Sequence, residues 1–360
     1  MTHAAAKVVT ERAIGIGALV LAVLAPLIVS DFWLNSILTQ GLILGIGAAS
    51  LIFLSAYGGM ISLAQTGLMG IAGYALANMV TQRVPGGETK GLLLGWDPTL
   101  SLVLAILLTV GIGLVFGAVA SRSFGIYFLM LTLTYTVIAF LFVGSVTLIG
   151  GFSPVAGVDA YTPGFIGDIV NDRDRLYFIS LIVAAFVYVL VRYLTRTPFG
   201  ISLQGIRDEP VRMASLGYNV ALHRTLAFGI GAFVAALGGV LYAWWFGQLS
   251  PTIMGLDATI QLLVIAVIGG LRRIEGAWLG AIAFLVINNE ITNRIPSSGL
   301  PVIGGTFNTV IGVIFLVIVI VSPDGLMGLW DRAWSLAKRD GPPRENPGAQ
   351  AAAGARASSS

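Results

Sequence analysis

The chain is 360 residues long, 56% hydrophobic and only 10% charged, with a mean hydropathy of +0.91. A soluble domain carries about 25% charged residues, so this composition excludes a large water-soluble core and requires lipid to cover the apolar surface. Cysteine is absent and histidine occurs twice, at His3 and His223, which excludes disulfides and thiolate or histidine-rich metal sites; the net charge of +3 bears on membrane orientation and does not point to nucleic acid.

Charge-free windows mark the lipid-crossing segments at 13–30, 32–82, 98–121, 123–158, 176–191, 225–256, 258–271, 276–289 and 295–323. The first follows Lys7 and Arg12; at 18 residues it exceeds the ~7–15-residue apolar core of a signal peptide, so it reads as an uncleaved first helix after a cytoplasmic segment 1–12. The second is 51 residues, too long for one crossing, and Tyr57-Gly58-Gly59 divides it near 34–55 and 62–82. The expected fold is therefore all-α and polytopic, with about ten crossings in one domain, 13–330. The windows at 258–271 and 276–289 are short enough to be tilted or broken. Residues 331–360 end in a Pro-, Gly-, Ala- and Ser-rich stretch that reads as a disordered tail.

Placing the N-terminus in the cytoplasm and alternating sides puts 15 of the 20 Lys and Arg residues inside. Those left outside are Arg83, Lys90, Arg173, Arg175 and Arg294. Positive charge in short loops marks the cytoplasmic side, so both termini are expected there.

Within the membrane, three glycine pairs at four-residue spacing, Gly41/Gly45, Gly113/Gly117 and Gly276/Gly280, suit close helix contacts. The segment 61–80 is too polar to face lipid. Its Ser62, Gln65, Thr66 and Asn78 need partners or a watery cavity, and the Tyr57-Gly58-Gly59 entry and Gly67 suggest a broken or re-entrant start with free backbone groups. Thr132, Tyr135 and Thr136 share one face of a later helix, suited either to packing or to lining a pathway. Asn288-Asn289-Glu290 lies near the outer end of its span, and no charge falls at mid-membrane, which argues against proton coupling or voltage sensing.

The polar stretch RTPFGISLQGIRDEPVRMASLGYNV, 196–220, interrupts this pattern. Pro198 and Gly200 break the preceding helix, and Ile201, Leu203 and Ile206 offer an apolar grip to a surface helix. Pro210 suits the first turn of a second helix, with Asp208 or Glu209 at its cap and Gly217 past its end. Met213 and Leu216, three apart, form a small ridge. The alternatives are a solvated cytoplasmic loop and a docking helix for a soluble partner.

Enzyme motifs are missing: the chain has no H-E-x-x-H, G-x-S-x-G or Walker A lysine. Ile206-Arg207-Asp208 and, ten residues on, Leu216-Gly217-Tyr218-Asn219 resemble the cytoplasmic loop of the branched-chain amino acid ABC transporter permease family. YGGMISLAQTGLMGIAGY (57–74), GIYFLMLTL (125–133), SPTIMG (250–255), VIGGLRRIEGAWLGA (267–281) and SPDGLMGL (322–329) resemble further blocks of that family, in the same order. Pro210, Arg212 and Met213 depart from the family's docking loop, and Gln65 stands where histidine is frequent.

The resemblance implies half of a transmembrane pathway, completed by a second homologous permease, with two cytoplasmic ATPase subunits beneath and an extracytoplasmic solute-binding protein above. ATP chemistry then belongs to the partners; the chain is not an enzyme and holds no cofactor. Ser62, Gln65, Thr66, Thr132 and Tyr135 become pathway candidates. Gly200, Arg207, Asp208, Glu209, Arg212, Leu216 and Gly217, within a coupling loop 196–224, become ATPase-coupling candidates. Branched-chain or other hydrophobic amino acids come first as solutes, followed by urea and short amides. A stand-alone channel or secondary carrier is the rival class, and an intramembrane enzyme lacks any nucleophile–base pair.

Overall fold

The computed structural model describes residues 22–26, 29–82, 91–164, 166, 167, 169, 173–294, 312 and 325–328. The segments 1–12 and 331–360 lie outside the described residues, as does most of the windows 13–30 and 295–323. Ten α-helices follow one another among the described residues. They are α1 (Gln40–Gly58), which continues a wider-wound turn over Trp33–Thr39, α2 (Ala64–Val80), α3 (Pro98–Ala120), α4 (Gly125–Ser145) and α5 (Arg173–Leu194). Two short helices, α6 (Pro198–Asp208) and α7 (Pro210–Ser215), precede the long α8 (Val220–Phe246), and α9 (Leu256–Gly269) and α10 (Gly276–Arg294) form a final hairpin. Two antiparallel strands of two residues each, β1 (Val155–Ala156) and β2 (Gln248–Leu249), join loops at one end.

Among the described residues, five segments are long and apolar enough to cross a membrane: Trp33–Gly58, Pro98–Ala120, Gly125–Ser145, Asp174–Leu194 and Val220–Phe246. The helix α9, at 14 residues, is short for a hydrocarbon core of about 30 Å. Two charge-free windows prove wider than their helices. The window 123–158 holds a helix only to Ser145, then a loop through Gly150, Gly151 and Pro154; the window 225–256 loses its helix at Gly247. Gly247 ends the second of these helices, whereas the first stops where Val146 turns to extended backbone.

Local chemistry sets the helix ends. Asp97 accepts from the N–H groups of Thr99 and Leu100 (2.8 and 3.2 Å), with Pro98 at the first helical position of α3. Asn219 accepts from Leu222 N–H at the start of α8. Gly59, at φ 65°, closes α1, and the Met60 N–H turns back to the Leu54 carbonyl at 3.0 Å.

The helices α1 and α8 form the inner layer. Their most apolar 18-residue windows are 78% and 72% buried, against 22% for α3 and 33% for α4 and α5. The outer three turn Leu107, Val115, Phe142, Ile182 and Val189 outward, as helices bordered by lipid do. Each glycine pair sits on a helix contact. A Cβ on Gly41 would lie 3.1 Å from Ile282 and one on Gly45 would meet the Trp278 ring, so that pair seats α10. Gly113 faces Ala232 and Gly117 faces Phe228, joining α3 to α8; Gly276 and Gly280 rest on the backbone of α9.

Successive connections gather at opposite ends of the bundle. At one end lie the turn 57–63, the corner 121–124, the segment 195–219 and the turn 270–275. The Arg192–Glu275 ion pair (3.6 Å) joins the last turn of α5 to the turn 270–275, and Tyr188 donates to the same Glu275 carboxylate at 3.1 Å. At the other end, β1 pairs with β2, the Tyr74 hydroxyl donates to the Gly151 carbonyl at 3.2 Å, and Gln82 bridges Leu94. The first end carries Arg122, Arg192, Arg196, Arg207, Arg212, Arg224, Arg272 and Arg273, and is the basic end of the molecule.

Candidate functional site

At the basic end the chain leaves α1 at Gly58 and starts α2 at Ala64 without a continuous helix. The break exposes backbone groups that would be costly if left unpaired in a buried place. Two threonines of α4 take them up. The Leu63 N–H donates to Thr132 Oγ1 at 3.1 Å, and Thr136 Oγ1 donates to the Leu63 carbonyl at 2.9 Å. Thr132 Oγ1 also donates to Leu129 O at 3.0 Å, which orients its lone pairs towards Leu63. Ser62 Oγ accepts from Ala64 N–H at 3.3 Å and lies 3.5 Å from Gln65 Nε2. Protein groups thus satisfy both backbone groups of Leu63 and the Ala64 N–H at the end of the break.

All five pathway candidates are buried. Ser62, Gln65 and Thr132 come together around Leu63, while Tyr135 lies aside, its ring stacked on Phe116 of α3 with centroids 4.2 Å apart. Gln65 points between α2 and α8, where a Cβ on Gly231 would lie 3.5 Å from its Nε2. Its Oε1 and the Tyr135 hydroxyl are buried with no hydrogen-bond partner among the described residues. Thr136, on the same face as Thr132, is a further member of the cluster. Close contact between α2 and α4 needs Gly67, whose Cβ would sit 3.1 Å from the Thr136 Cα. Thr132→Val is expected to strand the Leu63 N–H and cost about 1–3 kcal/mol of stability. Thr136→Val should cost less, because the carbonyl before a helix retains its first intrahelical bond. Unfolding midpoints of the two variants in detergent check that order.

The polar interruption forms two helices at nearly its expected bounds. Thr197 caps α6, accepting from Gly200 N–H at 3.4 Å, and Pro198 opens its first turn. Gly200 lies so close to the Leu194 carbonyl and the Thr195 backbone that a side chain has no room there. Leu203 and Ile206 are buried and Ile201 is exposed, so two of the three apolar positions give α6 its grip. Glu209 is the cap residue of α7 without a side-chain hydrogen bond, and Pro210 opens the helix. Gly217, at φ 89°, follows its end. Glu209, Val211, Arg212 and Leu216 are exposed. Met213 instead turns towards α6, where a Cβ on Gly205 would lie 2.9 Å from its sulfur, so the outward apolar pair is Val211 and Leu216.

Arg207, itself partly exposed, reaches back to α1. Its Nη1 donates to the carbonyl of Ala56, in the last turn of α1, and its Nε donates to Asp208 at 2.8 Å. The guanidinium beside Asp208 holds that carboxyl below the usual carboxylate range.

A further residue, Arg224, is counted in the sequence only as a basic-end charge. It is buried at 4% exposure, its Nη1 donating to the carbonyls of Ser121 (2.8 Å) and Ser123 (2.9 Å) and its Nε lying 3.1 Å from the Met60 sulfur. The guanidinium stands 4.2 Å from the Phe124 ring centroid and 5.4 Å from that of Phe128. One sequence signal for this existed: a lone charge flush against the edge of an apolar window.

Known proteins share this sequence pattern. A family model described as "Branched-chain amino acid transport system / permease component" matches residues 33–321. The high-affinity branched-chain amino acid transport system permease protein LivM of Salmonella typhimurium is 25% identical over 174 residues, covering 48% of this chain and 39% of LivM. A probable branched-chain amino acid transport permease protein LivM of Methanocaldococcus jannaschii is 26% identical over 194 residues, 52% of this chain and 55% of its own. The galactose/methyl galactoside import permease protein MglC of Salmonella typhimurium is 30% identical over 151 residues, 39% of this chain and 44% of MglC. The chain thus spans less than two thirds of each of these relatives. No solved structure matches. With the family model running over most of its length, through the broken start of α2 and the α6–α7 element alike, the chain belongs to the family of branched-chain amino acid transport system permease components.

Proposed function

We propose that the chain is the transmembrane permease subunit of an ATP-driven importer for amino acids, branched-chain or otherwise hydrophobic, in a bacterial-type inner membrane. The basic end is the cytoplasmic one, about ten crossings make up a single domain over 13–330, and both termini are cytoplasmic. A second homologous permease completes the pathway. Two ATPase subunits dock beneath α6 and α7, where Gly200 and Gly217 set the corners and Asp208, Glu209, Arg212 and Leu216 stand at the surface. A solute-binding protein delivers the solute at the opposite end. ATP hydrolysis belongs to those subunits, and the chain itself carries no catalytic group.

The observation that carries this reading is a short helix pair, the first capped by Thr197 and half-buried and the second solvent-exposed, at the basic end of a chain that matches the permease family. A free-standing channel or carrier has no use for such an element. Ser62, Gln65, Thr66, Thr132 and Tyr135 line or border the route, with Gln65 Oε1 and the Tyr135 hydroxyl as acceptors still open to a solute.

The test expresses the chain with and without its ATPase partners in cells deprived of other uptake systems. Labelled leucine should accumulate only with both ATPases present. Val211→Glu with Leu216→Glu should release the ATPases during purification while the chain remains in the membrane. Uptake that persists without ATPases would sink this reading in favour of a channel or carrier. A sugar as solute has one observation in its support, the 30% identity to a galactose permease. Binding of galactose, and not leucine, by the cognate binding protein would decide for it.

A further inference from the structure

We propose that Arg207 is a positioning residue that fastens α6 to the connection between α1 and α2, so that displacement of α6 and α7 is delivered to the broken start of α2. This rests on the ATP-driven reading above and specifies how the surface element reaches the pathway residues.

The connection 59–63 is held at both ends and in its middle. At its first residue, the Arg207 side chain lies flat on Gly59, where a Cβ would come within 2.6 Å of Arg207 Cγ. Only a residue without a side chain allows that approach at a backbone φ of 65°. The guanidinium reaches past it to the Ala56 carbonyl. Ala56 lies in the last turn of α1, where carbonyls lack helical partners and the helix dipole favours a cation. In the middle, the Met60 sulfur meets Arg224. At the far end, Leu63 is gripped through both backbone groups by Thr132 and Thr136, and Gln65 begins the first turn of α2.

Two of the three guanidinium nitrogens of Arg207 are therefore committed, Nη1 to Ala56 and Nε to Asp208. Arg207 is itself partly exposed, but its guanidinium is drawn back onto α1, whereas among the described residues Val211, Arg212 and Leu216 make no such contact with α1 and face solvent. Buried Leu203 and Ile206 lie on the same α6, and Gln204 ties the helix to the Thr195 and Gly200 carbonyls at 3.1 Å each. Movement of α6 thus reaches Ala56 and Gly59 through a short, packed contact, and five residues later it meets the pathway cluster.

The experiment uses the complete transporter, with all its subunits, in membrane vesicles. The chain has no cysteine, so Ile61→Cys, at a partly exposed position in the connection, adds one thiol to it. Labelling of that thiol is compared without nucleotide and in the state trapped by ATP and vanadate. In the Ile61→Cys chain, trapping should change the labelling rate. Adding Arg207→Met should abolish that change and lower uptake about tenfold, within the usual range of coupling between sites, with both ATPases still co-purifying. Arg207→Lys, which retains a cation within reach of Ala56, should restore part of both; should the methionine variant fail to accumulate, the lysine variant carries the same comparison. Normal uptake and labelling in Arg207→Met would overturn the proposal. So would loss of the ATPases from a variant still present in the membrane, because Arg207 would then be a docking contact. Uptake by the unsubstituted chain without ATPases would instead remove the ATP-driven reading itself.

Discussion

Replacing Arg224 with methionine is expected to lower the stability of the chain by at least about 3 kcal/mol, the sum of two hydrogen bonds from a charged donor at ~1.5–3 kcal/mol each. Methionine matches the aliphatic stem and leaves the Phe124 and Phe128 rings packed, so the variant isolates the loss of the guanidinium. What is lost is the donor to the Ser121 and Ser123 carbonyls, which lie just past the end of α3 and have Arg224 as their cation. Arg224→Glu should be worse, because a carboxylate would face two carbonyl oxygens in a buried place. The unfolding midpoint in detergent and the amount of chain in the membrane measure both. An unchanged midpoint for the methionine variant would mean that water satisfies the two carbonyls, and the residue would lose its structural role.

Gly239→Val should have an equally large effect for a different reason. A Cβ at Gly239 falls onto the backbone carbonyl of Met69, and one at Gly73 would lie 3.0 Å from the Gly239 carbonyl, so α2 and α8 touch backbone to backbone there. A flexible side chain can swing aside; a helix backbone can retreat only by separating the two helices. Overpacking a core costs about 1–3 kcal/mol where neighbours can adjust, and here they cannot. The expected result is little folded chain in the membrane. Gly111→Val is the control, since a Cβ at Gly111 meets nothing within 4 Å. Equal accumulation of the two variants would show that α2 and α8 can part.

What the sequence made legible was local. Gly59, Pro198, Pro210 and Gly217 act on their own backbone, and each marks a boundary close to where a helix begins or ends. The glycine pairs announced close contacts, but their partners, Trp278, Ala232 and the α9 backbone, are set by tertiary packing. Arg207 and Arg224 show the limit most plainly. As charges near the basic end they look alike, yet one rests on Ala56, 151 positions away, and the other on Ser121, 103 positions away. No periodicity encodes pairs so distant. The candidate cluster was half legible for the same reason: the polar residues of 61–80 and of 132–136 were each visible, but not that the second set hydrogen-bonds the backbone break of the first. The loops 146–158 and 247–255 were hidden because they carry no charge, and β1 and β2 are too short to show alternation.

The contacts at the two tips of α8 have a mechanical consequence. The helix has 27 residues, about 40 Å at 1.5 Å per residue, enough to traverse a bilayer as one stiff rod. At its base, His223 stacks on Phe199 of α6 and meets the Tyr218 ring edge-on. At its tip, the Gly247 carbonyl accepts the N–H groups of both Gly157 and Val158 at 2.9 and 3.1 Å, beside the β1–β2 ladder. A rod pinned at both tips carries torque. A twist applied beside α6 would have a single continuous element, α8, leading to the 155–158 segment at the opposite end of the bundle.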